Sequence, residues 1–427
     1  MQSIANRCLA ILALAAVSFA CTDSRVETIT YTANAPVYMP IADFRNSFAK
    51  SEPVEMVQTG KIYFKDNLLF VNEVNRGIHV IDNADPTSPQ IIAFYEIIGN
   101  VDMAIRGNTL FADSYIDLVA IDISDVNNPV EIGRLPNVFP GITPYPEDLN
   151  YPMAQTDSSR GVVVGWEVKE VTEEYQSASS PWYDKIWFGN GRESMDGVAP
   201  TGSGSTVGVA GSMARFMLND YHLYTISTPQ RITTLDVINP QAMVAVDSVD
   251  TWRTMETLFK YQDYLFVGTT TGMMIFDVAN PASPVHVSDY DHITACDPVV
   301  VDGQYAYVTL RSGNNCLNAE NLLEVIDITN IASPFLVKSY PMFNPHGLGV
   351  DNGLLFICDG AAGLKVFRTD DPLRIVQNHV VTFPDMEAFD VIPYNGVLMM
   401  VATDGIYQYD YSDTNTLSLL SHLTLTP

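Results

Sequence analysis

A mostly apolar hexapeptide that closes on aspartate recurs along the chain. It reads GIHVID ending at Asp82, DLVAID at Asp122, RITTLD at Asp236, GMMIFD at Asp277, LLEVID at Asp327, GLKVFR at Arg368 and GIYQYD at Asp410. Successive copies end 40, 114, 41, 50, 41 and 42 residues apart, so one interval is long and the others agree. Each copy follows a second apolar run, as at 67–72, 109–113, 264–268 and 353–358, and turn residues such as Asp66-Asn67, Gly107-Asn108, Asp302-Gly303 and Asp351-Asn352-Gly353 set that run off from a third. Short apolar runs punctuated in this way predict hairpins. After the terminal aspartate come loops such as DNADPTSPQI, DISDVNNPVEI, DVANPASPVHV and DITNIASPFLV, and then a fourth strand. Four short strands per repeat with no helical period predict an all-β chain: a β-propeller of about seven four-stranded blades, with six or eight still open.

The aspartate closing each hexapeptide has a local role, because its carboxylate can accept backbone N–H groups of the following turn while proline stops further strand pairing. These aspartates are therefore structural. The recurring VID-type core followed by N/D-P-x-x-P resembles the LVIVD repeat from about residue 60 to the end of the chain. The resemblance implies a β-propeller fold and an extracellular protein or lipoprotein, with no settled activity attached. The chain departs from the pattern at Arg368, which replaces aspartate, and at Tyr407-Gln408-Tyr409, which replaces an aliphatic core.

The long interval, from Asp122 to Asp236, predicts one long insertion after the second blade, at about 139–212. Within it, SSRGVVVGWEVKEV predicts a hairpin, whereas 177–212 is rich in Gly, Ser and Pro and carries no blade pattern. The insertion holds Trp166, Trp182, Tyr183 and Trp187, with Tyr145, Tyr151, Tyr175 and Phe188 around them. Such rings either pack on the propeller as a lid or plug, or offer a stacking surface to a glycan or a protein. The platform reading makes the segment from about Phe139 to Ser212 dispensable for folding and necessary for recognition.

The first twenty residues change the picture of where the protein acts. Arg7, an apolar run from Leu9 to Val17 and small residues ending at Ala20 have the layout of a signal peptide, and the run is too short to span a membrane. Ser18-Phe19-Ala20-Cys21 resembles a lipobox, although Leu is usual where Ser18 stands, so Cys21 is expected to carry a lipid; ordinary cleavage with Cys21 incidental stays open. The expected organisation is a signal peptide over 1–20, a lipid-anchored tether over 21–55 and the propeller over 56–427. The expected location is the cell envelope, lipid-anchored at the outer membrane and either periplasmic or surface-exposed, with membrane contact only through the anchor.

Loss of the signal removes one Arg and no acid, leaving 21 basic against 50 acidic residues, a net charge of −29. Such a surface repels phosphate backbones and excludes nucleic acid as a partner. In an oxidising compartment Cys296 and Cys316, within one repeat, are expected to form a disulfide, while Cys358 falls in an apolar run and reads as a buried thiol.

Aligning the repeats on their second strand brings Lys61, Asp102, Arg215, Glu256, Asp297, His346 and Asp390 to the start of the innermost strands, a charged ring at the channel mouth. Such a ring either caps the channel with mutually satisfied charges or binds a ligand over the axis. His346 with Asp297 and Glu256 could ligate a metal, but no CxxC, HExxH, GxSxG or GxGxxG spacing occurs, and neither a metal nor a cofactor is assigned. The expected function is a non-enzymatic binding or scaffold protein for a glycan or an envelope protein. The alternative is an envelope hydrolase or lyase that uses the charged ring.

Overall fold

The computed structural model describes residues 26–176, 209–211, 214–291, 298–311 and 320–425. Cys21, Trp182, Tyr183, Trp187, Cys296, Asp297 and Cys316 lie outside the described residues. The chain divides into two compact units, the smaller containing residues 26–37, 145–158 and 165–176.

Seven four-stranded antiparallel sheets make up a β-propeller in the larger unit. Blades 1 to 7 span residues 59–96, 103–135, 216–250, 255–291, 299–341, 348–383 and 388–424. In every blade the turn between the innermost and second strands sets its first residue at positive φ: Asp66 at 57°, Gly107 at 55°, Asp220 at 53°, Gln262 at 51°, Gly303 at 58°, Asn352 at 50° and Asn395 at 49°. Gly, Asn and Asp tolerate that conformation best, which explains the turn composition that marks the repeats.

The closing aspartate behaves as the sequence predicts. One oxygen each of Asp82, Asp122, Asp236, Asp277, Asp327 and Asp410 accepts the N–H two residues on, at 2.8–3.0 Å. These bonds favour the charged form: the Ser124 amide holds the Asp122 carboxyl below its usual range, and the Ser412 hydroxyl and amide do the same for Asp410. In blade 6, Arg368 donates instead to the Thr414 carbonyl and to Asn415 Oδ1 of the next blade's loop, both at 2.9 Å, and Asp371 accepts the Leu373 N–H as the Asp or Asn at the equivalent position does in the other blades.

Glycine opens the hexapeptide for a steric reason. Gly77 and Gly272 begin third strands at φ 149° and 146°, where an added Cβ would lie 1.9 Å from the Tyr95 carbonyl oxygen and 2.1 Å from that of Tyr290. The backbone of the outer strand occupies the space a side chain would need.

Neighbouring blades are joined by apolar packing and by hydroxyls that reach the carbonyls of the proline-containing loops. Tyr95 donates to Val126 at 2.8 Å, Tyr224 to Pro281 at 2.8 Å, Tyr340 to Pro372 at 2.6 Å and Ser421 to Pro86 at 2.7 Å. The ring closes without strand exchange, since each blade's four strands are consecutive in sequence. Ile62, Phe64, Leu69 and Val71 of blade 1 pack on Ile392, Met399, Val401 and Ile406 of blade 7. The amides of Asn83 and Gln408 bond each other in both directions there, at 2.9 and 2.7 Å.

The segment expected to be a tether is partly built into this framework. After the strand Val26–Met39, the short helix Ile41–Arg45 buries Phe44 against Tyr115 and Val162. Arg45 reaches the fully buried carboxylate of Asp117 at 2.8 Å, which Arg134 also approaches. Ala49–Ser51 then adds a fifth strand to the outer edge of blade 1.

The stretch expected to fold back on itself as a hairpin is instead the single strand Val162–Gln176, paired with Val26–Met39 in a separate two-stranded sheet. Thr30 Oγ1 lies 2.9 Å from Thr172 Oγ1, and the Tyr31 hydroxyl donates to Glu173 at 2.6 Å. A strand from a distant part of the chain supplies the partner that a local turn would have supplied.

Candidate functional site

Six of the seven ring residues fall among the described residues, and each sits within two residues of the start of an innermost strand. Blades 1, 2 and 3 meet through them. Lys61 Nζ lies 2.7 Å from Asp102 Oδ2, with both side chains 4 % exposed. The same carboxylate accepts the Arg215 N–H at 2.5 Å and the Met103 N–H at 2.7 Å. Burial pushes the Lys61 ammonium below its usual range, against the pull of Asp102.

The other described ring members sit in blades 4 to 7. Asp390, beside a bulge in the innermost strand of blade 7, is buried, and an added Cβ on Gly211 would lie 2.0 Å from its Oδ2. His346 is buried between blades 5 and 6, where Arg311 donates to its Nδ1 at 2.6 Å, the Asn344 amide nitrogen lies 3.2 Å from Nε2 and the Phe389 ring stands edge-on at 5.1 Å. Glu256 is half-buried at a bulge in blade 4. Among the described residues no group of three or more His, Cys, Asp or Glu side chains is placed to hold a metal ion.

A second carboxylate supports the pair from behind. Asp113 Oδ1 accepts the N–H groups of Val101 at 2.7 Å and Asp102 at 2.9 Å, and the Asn100 side-chain amide at 2.8 Å. Burial outweighs these bonds and raises its carboxyl from 3.8 to about 6. The folded chain therefore holds this proton up to about pH 6, while the unfolded chain releases it near 3.8. Stability is lost as pH rises through that window. Asp113→Asn keeps an acceptor oxygen and is expected to flatten the slope, a difference of about 3 kcal/mol at most by pH 7. Denaturant midpoints measured from pH 4 to 7 check this, and identical slopes for variant and wild type would contradict it.

The insertion returns to the propeller through the same region. Val209–Ala210 pairs with Tyr63 and Phe64 on the inner edge of blade 1's innermost strand, and the Gly211 N–H donates to the Ile62 carbonyl at 3.0 Å. Ala210, Ala214 and Phe139 are buried in the core shared by blades 1, 2 and 3, with the Phe139 ring stacked on Phe216 at 5.6 Å. These ends of the insertion are core, so the expectation that the whole of 139–212 is dispensable for folding does not fit their packing.

Of the four candidate rings in the insertion, only Trp166 falls among the described residues. Trp166, expected to belong to a stacking platform, is 6 % exposed and offers no open face. Trp252 and Phe343, singled out by no motif, are 62 % and 60 % exposed. Both lie in loops that join the outer strand of one blade to the innermost strand of the next, the class of connection from which the insertion itself arises. That position was the available signal. At the opposite end of the blades, Lys65, Asp66, Asn108, Ser124, Asp125 and Val126 line a cleft of about 330 Å³ between blades 1 and 2, away from the ring.

Residues 101–136, 260–292 and 294–341 match the LVIVD repeat, so the chain carries LVIVD repeats in a seven-bladed β-propeller. No curated protein sequence matches the chain. Among solved structures, the computationally designed Ika8 protein aligns over 87 % of this chain and 90 % of its own, at 10 % identity and a TM-score of 0.49. BamB from Moraxella catarrhalis aligns over 90 % and 97 %, at 8 % identity and a TM-score of 0.45. Saccharomyces cerevisiae Sqt1 aligns over 91 % and 88 %, at 8 % identity and a TM-score of 0.46.

Proposed function

We propose that this chain is an exported, lipid-anchored propeller of the cell envelope that binds a glycan or a partner protein, without chemistry, at the end of the blades from which the insertion arises. The observation that carries this reading is the contrast at that end. Lys61 and Asp102 are spent on each other in a buried pair, while Trp252 and Phe343 stand open to solvent in the loops above the blades. A hydrolase or lyase needs a group free to exchange protons with substrate. A recognition surface needs exposed, well-held rings and neighbouring polar groups, which the loops supply.

The anchor and the binding are tested separately. Cys21→Ser is expected to move the protein from the detergent phase to the aqueous phase; a variant that still partitions with membranes would remove the anchor from the reading. Wild-type protein incubated with envelope and plant polysaccharides is expected to be retained without releasing shorter products. Product release would favour the enzyme instead.

A further inference from the structure

The loop that presents Trp252 is fixed on both sides of the ring. Before it, the Thr251 N–H donates to the Gln230 carbonyl at 2.7 Å and the Thr251 hydroxyl to the Arg253 carbonyl at 2.9 Å. After it, Arg253 donates to the Thr271 carbonyl at 2.8 Å and to its hydroxyl at 3.0 Å, and pairs with Asp291. The ring itself is braced from below. The imidazole of His286 stands edge-on to Trp252 at 5.1 Å and to the fully buried Phe276 at 5.5 Å, and its Nε2 lies 3.0 Å from Asp289 Oδ1. The result is a large flat ring exposed to water on a loop whose flanking residues are already held, which lowers the ordering cost of binding.

The surrounding charges decide what kind of ligand suits it. A bare carboxylate beside an indole would favour a cation. Here Asp250 is held by Arg231 through two bonds of 2.6 and 2.9 Å, Asp291 by Arg253, and Asp289 faces His286. Two of the three acids are balanced by arginines in place and the third is hydrogen-bonded to His286, so the patch offers an aromatic face rimmed by donors and acceptors already held by partners. That combination suits a neutral polyhydroxyl ring, which can lay a C–H face on the indole and turn its hydroxyls to the rim.

We infer that Trp252, with His286, Asp289 and Arg253 at its rim, is a saccharide subsite on the edge between blades 3 and 4. The inference rests on the glycan half of the reading above and names the residues that carry it. The test compares wild type, Trp252→Ala and Trp252→Phe for retention on immobilised peptidoglycan, mannan, xylan and β-glucan, with thermal melting in parallel. Wild type is expected to be retained by at least one of these. Trp252→Ala should lose retention tenfold or more, and Trp252→Phe, which keeps a ring, should lose less, with all three melting alike because the side chain is mostly in solvent. Retention of Trp252→Ala equal to wild type would overturn the subsite and leave glycan binding intact. Failure of wild type to bind any of the four would overturn both. Stronger retention of polylysine than of every glycan would assign the ring to a cationic partner and overturn the saccharide assignment.

Discussion

Asp102→Ala is expected to destabilise the propeller by about 3–5 kcal/mol, because it leaves the Lys61 ammonium buried with its nearest countercharge removed. The same change strips the Met103 and Arg215 N–H groups of their acceptor. For a chain of this size the loss corresponds to a fall of about 5 °C in the thermal midpoint. A surface pair sets the scale for comparison: Arg231 and Asp250 are 45 % and 67 % exposed and screened by solvent, and Asp250→Ala should cost far less than Asp102→Ala. The double variant Lys61→Met, Asp102→Leu removes both charges and should recover much of the loss seen in Asp102→Ala, since an absent buried pair costs less than half of one. Calorimetry of the four proteins checks the order. If Asp102→Ala melts no lower than Asp250→Ala, the pair is not desolvated and the ring is open to solvent.

What could be read in the sequence is what the repeat writes locally. Turn residues at positive φ mark every copy and the aspartate that accepts an N–H two residues on marks six of the seven, because each acts within a few residues, while the glycine pressed against the outer strand opens four copies. They give about seven blades, and the strand pairing fixes the count at seven. The irregular copy keeps half of the motif: Arg368 lacks the closing carboxylate, while Asp371, three positions on, caps its own turn as Asp85, Asn330 and Asp413 do in other blades.

Long-range pairings leave no such mark. Nothing in VETITYTANAPVYM announces that its partner is a strand more than a hundred residues later, and a two-residue strand such as Val209–Ala210 is too short to have a period at all. The tryptophans show the same limit. Their number on a loop is a composition, whereas exposure is set by neighbours, and Trp166 and Trp252 exchange the roles that composition suggests. The ring at the inner-strand starts was found by alignment, but whether its charges face a ligand or one another depends on distances such as the 2.7 Å between Lys61 and Asp102.

Two replacements in the insertion are expected to give opposite results. Exchanging 177–208 for a Gly/Ser linker of equal length keeps Val162–Gln176, Phe139 and the Val209–Ala210 strand in the chain, and preserves their reach. Its thermal midpoint should stay close to wild type, because a flexible connection of unchanged length adds little closure entropy. Joining Pro136 directly to Ala214 is a different operation. It removes the Phe139 ring from the core of blades 1 to 3, Val162 from the cluster around Phe44 and Tyr115, and the strand on the inner edge of blade 1. It also leaves Val26–Met39 without the strand it pairs with. Loss of a buried phenylalanine alone costs about 3–5 kcal/mol, and the other losses add to it. The shorter chain should therefore aggregate or lose its cooperative transition. Melting curves and polysaccharide retention of the two proteins separate the roles of the segment. If the linker variant melts normally and loses binding, Trp182, Tyr183 and Trp187 belong to recognition; if it melts normally and binds as before, recognition lies with the loops that carry Trp252 and Phe343. A normal transition after joining Pro136 to Ala214 would mean that Phe139 and Ala210 fill space the core can close without them.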